Sequence, residues 1–585
     1  MNIQADHLDL DNQEWQQALQ IIQYTRRSLF LTGKAGTGKS TFLRYIAQNT
    51  KKKFVVLAPT GIAAINAGGQ TLHSFFKLPF HPLLPNDSRY SIRNIRKTLK
   101  YSGVTLKLLR ELELIIIDEI SMVRADIIDF IDKVLRIYCR NMREPFGGKQ
   151  LLLVGDIFQL EPVVKEDEWR LMQPFYASAY FFSAKVWQQM QLVSIELRKV
   201  YRQSDNQFIA LLDRIRQNQA TDSDLAAINA RVENTDSQSD TTARSTQSFP
   251  ITLATRRDTV DWINEQKLSE LDGSATVFKG TIRGEFPLTS LPAPMELELK
   301  PGAQVIFTRN DKEKRWVNGT IGIVTGFDVE EGLIGVVDED GNEYDVGEEI
   351  WENIRYSFDE KEQKIVEEQL GVFVQYPLRL AWAITVHKSQ GLTFRQVRID
   401  FSGGGAFAGG QTYVALSRCT SLNGITLEEP IRRSDIFVRP EVVAFAQRYN
   451  DGQLMRQALY ESKADREYHD AVEAFDRQDF DAFLKNFFLA IHSRYDIERP
   501  AAQRYIRRKL SVITRQQQHI DDLEHEIRRR DELLKRLAAE YVLLGKECEH
   551  EHMTEAAMRN YRKALELYPD AYEAQRRLKK LEKKP

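Results

Sequence analysis

The sequence lacks the features that mark membrane proteins, secreted proteins and small metal-bound domains. No run of eighteen or more apolar residues occurs, so we expect no transmembrane helix and no membrane partner. The first residues are polar and acidic and contain no signal-peptide core. Only three cysteines are present, Cys139, Cys419 and Cys548, and their spacing fits neither a zinc site nor a disulfide framework. These absences predict a cytoplasmic protein.

An excess of charge of either sign is also absent. Lysine and arginine number 81, aspartate and glutamate 83, and the formal net charge is −2. This balance argues against a polycation that coats nucleic acid through bulk charge, although it leaves room for a narrow basic channel. A chain of 585 residues is too long for a single core and predicts about three or four domains.

Short apolar runs alternate with helix-like segments in the first part of the chain. The runs are rich in β-branched residues, which is typical of parallel strands covered on both faces. They lie at residues 28–32, 53–58, 113–117 and 150–154. This alternation predicts an α/β domain with a doubly wound parallel sheet.

A second α/β block is predicted from apolar runs near 251–254 and 396–401. Residues 300–375 lie between them and are dense in valine, isoleucine and glycine with short turns, which indicates a small inserted β-barrel. Residues 233–249 have almost no apolar side chains and are predicted to form a mobile surface loop.

From about residue 440 the pattern is helical. Isoleucine or leucine recurs every seven residues, at Ile506, Ile513, Ile520, Ile527 and Leu534. The other seam positions are mixed, so we expect a long helix packed on its neighbours rather than a free coiled coil. Residues 539–574 match one tetratricopeptide-like repeat. A single repeat cannot bury its own face, so it must pack on the preceding helices or on a protein partner.

A glycine-rich segment, GKAGTGKS at residues 33–40, follows the first predicted strand and opens a helix. It fits the G-x-x-x-x-G-K-[ST] pattern in the context that the pattern requires, which disfavours a chance glycine turn. Its backbone N–H groups and the helix N-terminus suit phosphate oxygens. Lys39 is expected to reach the β- and γ-phosphates of ATP, and Ser40 to ligate Mg²⁺. The predicted nucleotide-binding residues are Gly33, Ala35, Gly36, Thr37, Gly38, Lys39, Ser40 and Thr41.

Two adjacent carboxylates, Asp118 and Glu119, end another predicted strand, at the edge where ligands bind in such sheets. Asp118 is expected to hold Mg²⁺, and Glu119 to polarise the attacking water. An acidic pair after a strand is commonplace as a solvated helix start, and the phosphate loop is what favours catalysis here. Gln159 follows the strand at 150–154 and is expected to sense the γ-phosphate or orient water.

A site that hydrolyses ATP only when it is properly engaged needs extra positive charge to stabilise the transition state. A mobile arginine often supplies this charge. Two candidates lie outside the first domain: Arg202 in LRKVYRQ and Arg418 in YVALSR. An arginine taken alone is far more often a surface charge than a catalytic group. The motifs around Arg202 and Arg418 favour a catalytic role for these two residues over that of an ordinary surface charge.

In this order the motifs resemble those of the Pif-one (petite integration frequency) helicases, a branch of superfamily-one DNA helicases related to RecD and Dda. The matching stretches are 30–40, 58–76, 115–122, 144–163, 201–203, 299–322, 378–394 and 413–425. They cover about residues 10–430 but not the helical tail. The resemblance implies two RecA-like domains that sandwich ATP, and it places Arg202 and Arg418 at the γ-phosphate.

The resemblance and the tail divide the chain into three parts. They are a first RecA-like domain at 1–199 with a small inserted wedge at about 77–110, a second at 200–440 with an SH3-like insertion at about 300–375, and a helical C-terminal region at 441–585. The adenine-reading glutamine of the family is Gln13, Gln16 or Gln17 here, and we rank Gln17 first.

The DNA contacts of the family carry over at matched positions. They are Pro59, Thr60, Gly61, His73, Ser74 and Phe75 in the first half and Thr385, His387, Lys388 and Ser389 in the second. Such groups hold the backbone rather than the base edges, so little sequence preference is expected. Phe75 or Phe76 offers a stacking face for a base, and packing in the core is the equally weighted alternative.

The resemblance implies an ATP-dependent DNA helicase that moves 5′-to-3′ on single-stranded DNA. Its substrates would be duplex, forked or structured DNA, including G-quadruplexes and RNA–DNA hybrids, in genome maintenance on the bacterial nucleoid. The first alternative is a translocase that displaces proteins without unwinding, and the second is a partner-binding scaffold with a regulatory ATPase. A phosphate-loop ATPase that does not act on DNA is disfavoured by the matches at 58–76 and 385–391.

Overall fold

The computed structural model describes residues 9 and 11–582, except 80, 204, 233–248, 329, 360, 361, 363, 403, 478 and 494–499. Nearly all of the predicted surface loop at 233–249 lies outside the described residues. The chain divides into two compact units, Met1–Asp479 and Phe480–Pro585. Among the described residues, no helix combines the length and the apolar character needed to span a bilayer.

The first part of unit 1 is built on a six-stranded parallel sheet. Its strands are β1 (Leu29–Gly33), β2 (Phe54–Ala58), β3 (Gln70–Thr71), β4 (Leu114–Ile117), β5 (Gln150–Val154) and β6 (Val193–Leu197). Their order across the sheet is β3-β2-β4-β5-β1-β6, with parallel pairing throughout. All residues of β1, β4 and β5 are buried because helices cover both faces. The predicted parallel α/β sheet is confirmed.

Helices pack on both faces of this sheet. They are α1 (Gln13–Tyr24), α2 (Lys39–Asn49), α3 (Gly61–Ala67), α4 (Leu72–Phe76), α5 (Ile95–Thr98), α6 (Gly103–Glu111), α7 (Ala125–Tyr138) and α8 (Glu166–Met172). Successive strand residues point to opposite faces, so Leu29 and Leu31 pack with α1 and α2 while Phe30 packs on the other face with α7. Tyr90 and Ile95 anchor the segment predicted as a wedge to the same core as Phe30.

The second part of unit 1 contains a further parallel sheet and an inserted antiparallel region. The strands are β7 (Ile251–Ala254), β8 (Thr276–Lys279), β9 (Thr281–Gly284), β10 (Glu296–Leu299), β11 (Gln304–Phe307), β12 (Ile321–Asp328), β13 (Leu333–Asp338), β14 (Glu343–Val346), β15 (Glu349–Asp359), β16 (Lys364–Gln375), β17 (Leu378–Leu380), β18 (Ala383–Thr385), β19 (Val397–Asp400) and β20 (Ile425–Leu427). The parallel sheet has the order β18-β7-β19-β20. The accompanying helices are α9 (Asn206–Arg216), α10 (Asp222–Asn229), α11 (Arg257–Glu270) and α12 (Gln411–Leu416).

The strands between β7 and β18 form antiparallel sheets with the orders β14-β13-β12-β11-β17, β15-β16-β9 and β10-β8. They span residues 276–380, a wider segment than the predicted insertion at 300–375. The β15–β16 hairpin reaches the first sheet, where Tyr356 and Phe358 join the core. There the side-chain amide of Gln70 donates to the Ile354 carbonyl oxygen at 2.6 Å.

The helical region after residue 440 is shared between the two units. The helices α13 (Pro440–Ala446) and α14 (Gly452–Asp476) belong to unit 1. Val442 packs in the core beneath Phe30, and Ala458 packs on the α1–α2 side of the first sheet. The break between the two compact units lies after Asp479, and the apolar faces of these helices are buried on the first sheet.

Unit 2 contains α15 (Phe480–Ser493), α16 (Pro500–His550), α17 (Thr554–Leu567) and α18 (Tyr572–Leu581). The end of α16 packs on α17 and α18 around the buried Tyr561. A Cβ on Gly545 would lie 2.5 Å from the Tyr561 ring, so this close contact requires glycine inside α16 despite its low helix propensity.

The middle of α16 does not pack on neighbouring helices. Ile520, Leu523 and Ile527 are 48%, 45% and 50% exposed. The expectation that the seven-residue repeat is covered is wrong at these positions, and among the described side chains of α16 the first to join a core is Ala538. Charged side chains at most other positions from 519 to 536 keep this stretch solvated.

Candidate active site

The phosphate loop joins β1 to α2 and is shaped by two glycines in the left-handed region. Gly36 has a φ of 79° and Gly38 a φ of 87°, values that residues with a side chain rarely adopt. Gly38 caps α2, so Lys39, Ser40 and Thr41 form the first turn of that helix. The N–H groups of this first turn have no carbonyl partner within the helix and are therefore suited to bind phosphate oxygens.

The Lys39 ammonium lies within the loop. Its Nζ donates to the carbonyl oxygens of Gly33 at 2.6 Å and Lys34 at 2.9 Å. Burial lowers the pKa of Lys39 to about 8, although the carboxylates of Asp156 and Glu119 oppose this. A phosphate group beside the ammonium would offset the cost of burial, so the loop suits an anion.

The loop also contacts the second α/β part of unit 1. The Ala35 N–H donates to the Tyr413 hydroxyl at 3.0 Å, and Lys34 forms an ion pair with Asp213. Thr37 Oγ1 donates to a carbonyl oxygen of the loop at 2.9 Å and so stabilises its curvature. Sequence reasoning assigns no role to Tyr413, although it lies in the matched stretch that contains Arg418.

The acidic pair lies at the end of β4. Asp118 Oδ1 accepts a hydrogen bond from the Glu119 N–H at 2.9 Å. Glu119 has a φ of 49°, a left-handed conformation that costs a non-glycine residue about 1–3 kcal/mol. Burial raises the pKa of Glu119 to about 8, Asp118 adds to this, and Lys39 and Arg418 oppose it. Backbone strain and a raised carboxyl pKa at one residue are typical of a catalytic base.

Two glutamines meet at this carboxylate. Gln159, from the turn after β5, is buried. Gln390, from the loop after β18, donates through Nε2 to Glu119 Oε2 at 2.7 Å and to Gln159 Oε1 at 3.4 Å. Sequence reasoning assigns no role to Gln390, although it directly follows three of the predicted DNA-binding positions. The amide links the two α/β parts at the catalytic carboxylate.

Arg202 lies directly behind the phosphate loop. A Cβ on Gly36 would be 2.4 Å from the Arg202 Cβ. The Arg202 Nη2 donates to the Gly391 carbonyl oxygen at 3.4 Å, and its buried Nη1 has no hydrogen-bond partner among the described residues. Burial lowers the pKa of Arg202. An unpaired buried N–H is costly, and an anion above the loop would satisfy it.

Arg418 is 1% exposed and lies just after α12, near the charges of Arg202 and Glu119. Its guanidinium donates to carbonyl oxygens and one hydroxyl of the second part, those of Val414, Ser389, Leu392 and Ser417. Burial lowers the pKa of Arg418, and the charge of Arg202 lowers it further. The structure thus brings Lys39, Glu119, Arg202 and Arg418 into one cluster, in which the charges influence one another's pKa values.

Ser40 and Asp118 are the residues that would hold Mg²⁺. A hydroxyl and a carboxylate are hard oxygen donors, and Mg²⁺ in nucleotide sites usually combines one or two such ligands with phosphate oxygens and water. The described residues contain no group of three or more His, Cys, Asp or Glu side chains that could hold a metal without such help. The donor set therefore fits a magnesium–nucleotide complex.

The predicted DNA contacts of the first half lie on two short helices beyond β2. Thr60 caps α3, and its Oγ1 accepts a hydrogen bond from the Ala63 N–H at 3.2 Å. Thr60 and Ser74 are exposed, while Pro59, Gly61 and His73 are half-buried. These polar groups and helix N-termini are at the surface, where a polynucleotide backbone has access to them.

The predicted stacking role of Phe75 does not fit its position. Phe75 is 6% exposed and Phe76 is 0% exposed. The two ring centroids are 4.9 Å apart, and the Phe75 ring lies 6.3 Å from that of Tyr356. Both rings fill the core, so neither presents a free face to a base. Their position agrees with the alternative role of packing in the core.

The predicted contacts of the second half differ in accessibility. Thr385 Oγ1 accepts a hydrogen bond from the Lys388 N–H at 3.2 Å, and the Lys388 side chain is exposed. His387 is half-buried. Ser389 is fully buried, and its hydroxyl donates to the Val386 carbonyl oxygen at 2.8 Å. Ser389 therefore stabilises the loop and does not face solvent, contrary to its predicted role.

The three glutamines considered for adenine all lie near the start of α1. Gln13 and Gln16 are exposed, and Gln17 is half-buried. Trp15, which lies between them, packs edge-on against Phe42 of α2 at a centroid distance of 5.1 Å. This contact holds the start of α1 beside the helix that opens at the phosphate loop.

The chain matches the family model described as PIF1-like helicase over residues 11–225. It is 35% identical to the human ATP-dependent DNA helicase PIF1 over 417 residues, which are 68% of this chain and 58% of the human protein. The chain thus spans less than two thirds of the length of that relative.

Two solved structures of Bacteroides sp Pif1 are similar to the chain, each at 38% identity. The complex with ADP-AlF4 superposes with a TM-score of 0.68 and covers 75% of this chain and 97% of that chain. The structure bound to ssDNA superposes with a TM-score of 0.54 and covers 75% and 97%. These matches confirm the resemblance drawn from the motifs. The chain belongs to the PIF1-like helicase family.

Proposed function

We propose that this chain is an ATP-dependent DNA helicase that moves 5′-to-3′ along single-stranded DNA. The observation that carries the proposal is the composition of this cluster of charged and polar side chains. Lys39 and Glu119 come from the first sheet, Arg418 comes from the second, and Gln390 joins the two at the catalytic carboxylate. A site assembled from two parts can couple hydrolysis to their relative movement.

Each side chain of this cluster has a distinct role in the proposal. Lys39 binds the β- and γ-phosphates, Ser40 and Asp118 hold Mg²⁺, and Mg²⁺ when bound neutralises phosphate charge. Glu119 takes the proton of the attacking water, which Gln159 orients. Arg202 and Arg418 stabilise the charge that develops on the γ-phosphate.

The single strand of DNA would run across both α/β parts of unit 1. In the first part Pro59, Thr60, Gly61, His73 and Ser74 would hold backbone phosphates, and in the second Thr385, His387 and Lys388. The related Bacteroides sp Pif1 is solved bound to ssDNA, which supports a single strand as ligand here. Forked duplexes, G-quadruplexes and RNA–DNA hybrids are the proposed substrates, in cytoplasmic genome maintenance, and the helical tail is the proposed site for a protein partner.

Strand separation on tailed duplexes tests this function. The purified chain, ATP and Mg²⁺ are mixed with a fluorescent duplex that carries a 5′ tail, a 3′ tail or blunt ends. We expect unwinding of the 5′-tailed duplex alone. Hydrolysis stimulated by single strands without unwinding would support the translocase alternative, and hydrolysis that DNA does not change would contradict action on DNA.

The affinity for single-stranded DNA is expected to fall as the pH rises from 7 to 9. Lys388 is exposed as a whole residue, but partial desolvation of its ammonium lowers the pKa to about 8, and the charges of Arg379 and Arg257 contribute to the shift. Below this pKa the ammonium is charged and attracts phosphate, and above it the attraction is lost. Fluorescence anisotropy with a labelled oligothymidine measures the effect.

The control for this prediction is Lys388→Arg, whose guanidinium stays charged across the range. The variant should bind with an affinity that changes less with pH than that of the wild type. Identical pH profiles for the two proteins would refute a titrating DNA contact at position 388.

Gln390→Ala is expected to lower the stimulation of ATP hydrolysis by single-stranded DNA about fivefold, a coupling of the usual size of 1–3 kcal/mol. The reason is that Gln390 comes shortly after the proposed DNA-binding residues of the second part in the chain, and that it donates a hydrogen bond to Glu119. The ratio of kcat with and without DNA measures this effect. The exposed Gln219→Ala is the matched control, and an unchanged ratio in Gln390→Ala would exclude the link.

A further inference from the structure

Helix α9 contacts the first α/β part through two side chains of opposite charge. Asp213 pairs with Lys34 of the phosphate loop, and Arg216 pairs with Asp156 in the turn after β5. Residues three apart lie on the same face of a helix. One face of α9 therefore contacts both the loop predicted to bind phosphate and the turn that carries Gln159.

The Arg216–Asp156 pair is the more buried of the two. The side chains are 2% and 0% exposed. Arg216 Nη2 donates to Asp156 Oδ1 at 2.9 Å, and Nη1 donates to Glu196 Oε1 at 3.3 Å. The guanidinium also lies over the Phe158 ring, 4.3 Å from its centroid. Burial acts to lower the pKa of Arg216, but the Asp156 carboxylate, together with Tyr413 and Glu196, more than offsets this and raises the pKa, so the arginine stays charged.

Asp156 connects this pair to the catalytic groups. Its carboxylate accepts hydrogen bonds from the Phe158 N–H at 3.2 Å and from Gln159 Nε2 at 3.4 Å. The Gln159 amide oxygen in turn accepts a hydrogen bond from Gln390, which holds Glu119. Hydrogen bonds thus lead from Arg216 to the carboxylate that is proposed to activate water.

Stability alone does not account for a buried ion pair at this place. Replacing such a pair with well-packed apolar groups is often neutral or stabilising. The neighbouring residues Phe208, Leu211, Leu212 and Ile215 already secure α9 in the core of the second part. A charged pair differs from an apolar one in that water can solvate both partners when the two surfaces separate. It therefore suits an interface that closes and opens.

We infer that Arg216 is a positioning residue. It fixes the orientation of the Gln159 side chain through Asp156 when the two α/β parts close on ATP. The inference rests on the proposed function. It assigns α9 the role of a coupling helix, which transmits the position of the second part to the first. Arg216 does not touch nucleotide in this role, and its effect should appear in turnover rather than in the binding of ATP.

The test compares Arg216→Met, Asp156→Asn and the double variant in DNA-stimulated ATP hydrolysis. Each single variant should lower kcat about tenfold, while KM for ATP changes less than about threefold. Because both groups act through one contact, the double variant should lose about tenfold and not the hundredfold of independent effects. Arg214→Met is the matched control, since Arg214 lies on the same helix and pairs with Asp224 within the second part at 2.6 Å. Its kcat should stay within about twofold of the wild-type value.

Thermal melting of each variant separates folding from positioning. If Arg216→Met does not fold, Arg216→Gln serves in its place, because it removes the charge of the pair and keeps a polar side chain. Wild-type kcat in folded Arg216 and Asp156 variants would overturn the inference, and so would losses that multiply in the double variant. A wild-type protein whose ATP hydrolysis does not respond to DNA would instead overturn the proposed function.

Discussion

Glu119→Gln is expected to lower the DNA-stimulated kcat for ATP hydrolysis about a thousandfold, within the range that general bases contribute. The amide keeps the size and the acceptor oxygen of the carboxylate, so the contact with Gln390 remains possible. It cannot accept the proton of the attacking water. Because Glu119 is proposed to act on the attacking water and not to hold phosphate or DNA, the affinities for ATP and for single-stranded DNA should stay within about twofold of the wild-type values.

The matched control is Glu111→Gln. Glu111 ends α6 just before β4, at the opposite end of the strand from Glu119, and pairs with Lys53 at 2.7 Å. Its substitution should leave kcat unchanged, because this partly buried pair lies at the end of the strand away from Glu119. Turnover by Glu119→Gln near the wild-type rate would show that another group activates water.

Arg202→Ala is the second change with a large expected effect. A transition-state arginine contributes about 10³–10⁵ to kcat in related chemistry, and we expect a loss of at least about a thousandfold. The buried Arg202 Nη1 has no partner among the described residues, so it is available to a phosphate oxygen. Arg202→Lys should not restore activity, because an ammonium cannot reproduce the planar fork of the guanidinium.

Steady-state hydrolysis and the binding of a fluorescent ATP analogue measure the effect of Arg202. Arg198→Ala is the control, since Arg198 is exposed in the same connecting segment. Arg418→Ala should also lose turnover, but it should melt at a lower temperature as well, because Arg418 donates to four acceptors of its own part, three of them in buried contacts. Near-normal kcat in Arg202→Ala would remove this arginine from the chemistry.

Local patterns were sufficient to predict the first sheet and the phosphate loop. The strands β1, β4 and β5 are apolar at every or nearly every position, and burial on both faces requires such a composition. The loop glycines are determined by backbone conformations that other residues rarely adopt. Each of these signals lies within one short segment of the chain.

Contacts between distant segments could not be predicted in the same way. Arg216 and Asp156 are 60 residues apart and form their pair only when both α/β parts are in place. Phe75 has the composition of a stacking residue or a core residue, and only the approach of Tyr356 from the inserted hairpin distinguishes the two. The helices α13 and α14 are helical by sequence, but the surface that they cover depends on the tertiary fold.

The tail illustrates a pattern without a unique structural meaning. The seven-residue spacing of Ile520 and Ile527 is compatible with a covered helix, a coiled coil or a solvated stretch. Charges at the positions around them allow the solvated form that the structure has. Periodicity predicted the helix but not its surroundings.

The central claim is that two parts of one chain share an ATP and hold one DNA strand between them. A crystal structure with ADP, aluminium fluoride, Mg²⁺ and an oligothymidine tests it most directly. We predict that the fluoride contacts Lys39, Arg202 and Arg418, that Mg²⁺ contacts Ser40 and Asp118, and that the strand crosses from Thr60 to Lys388. A nucleotide contacted by the first part alone, or a strand confined to one part, would contradict the account.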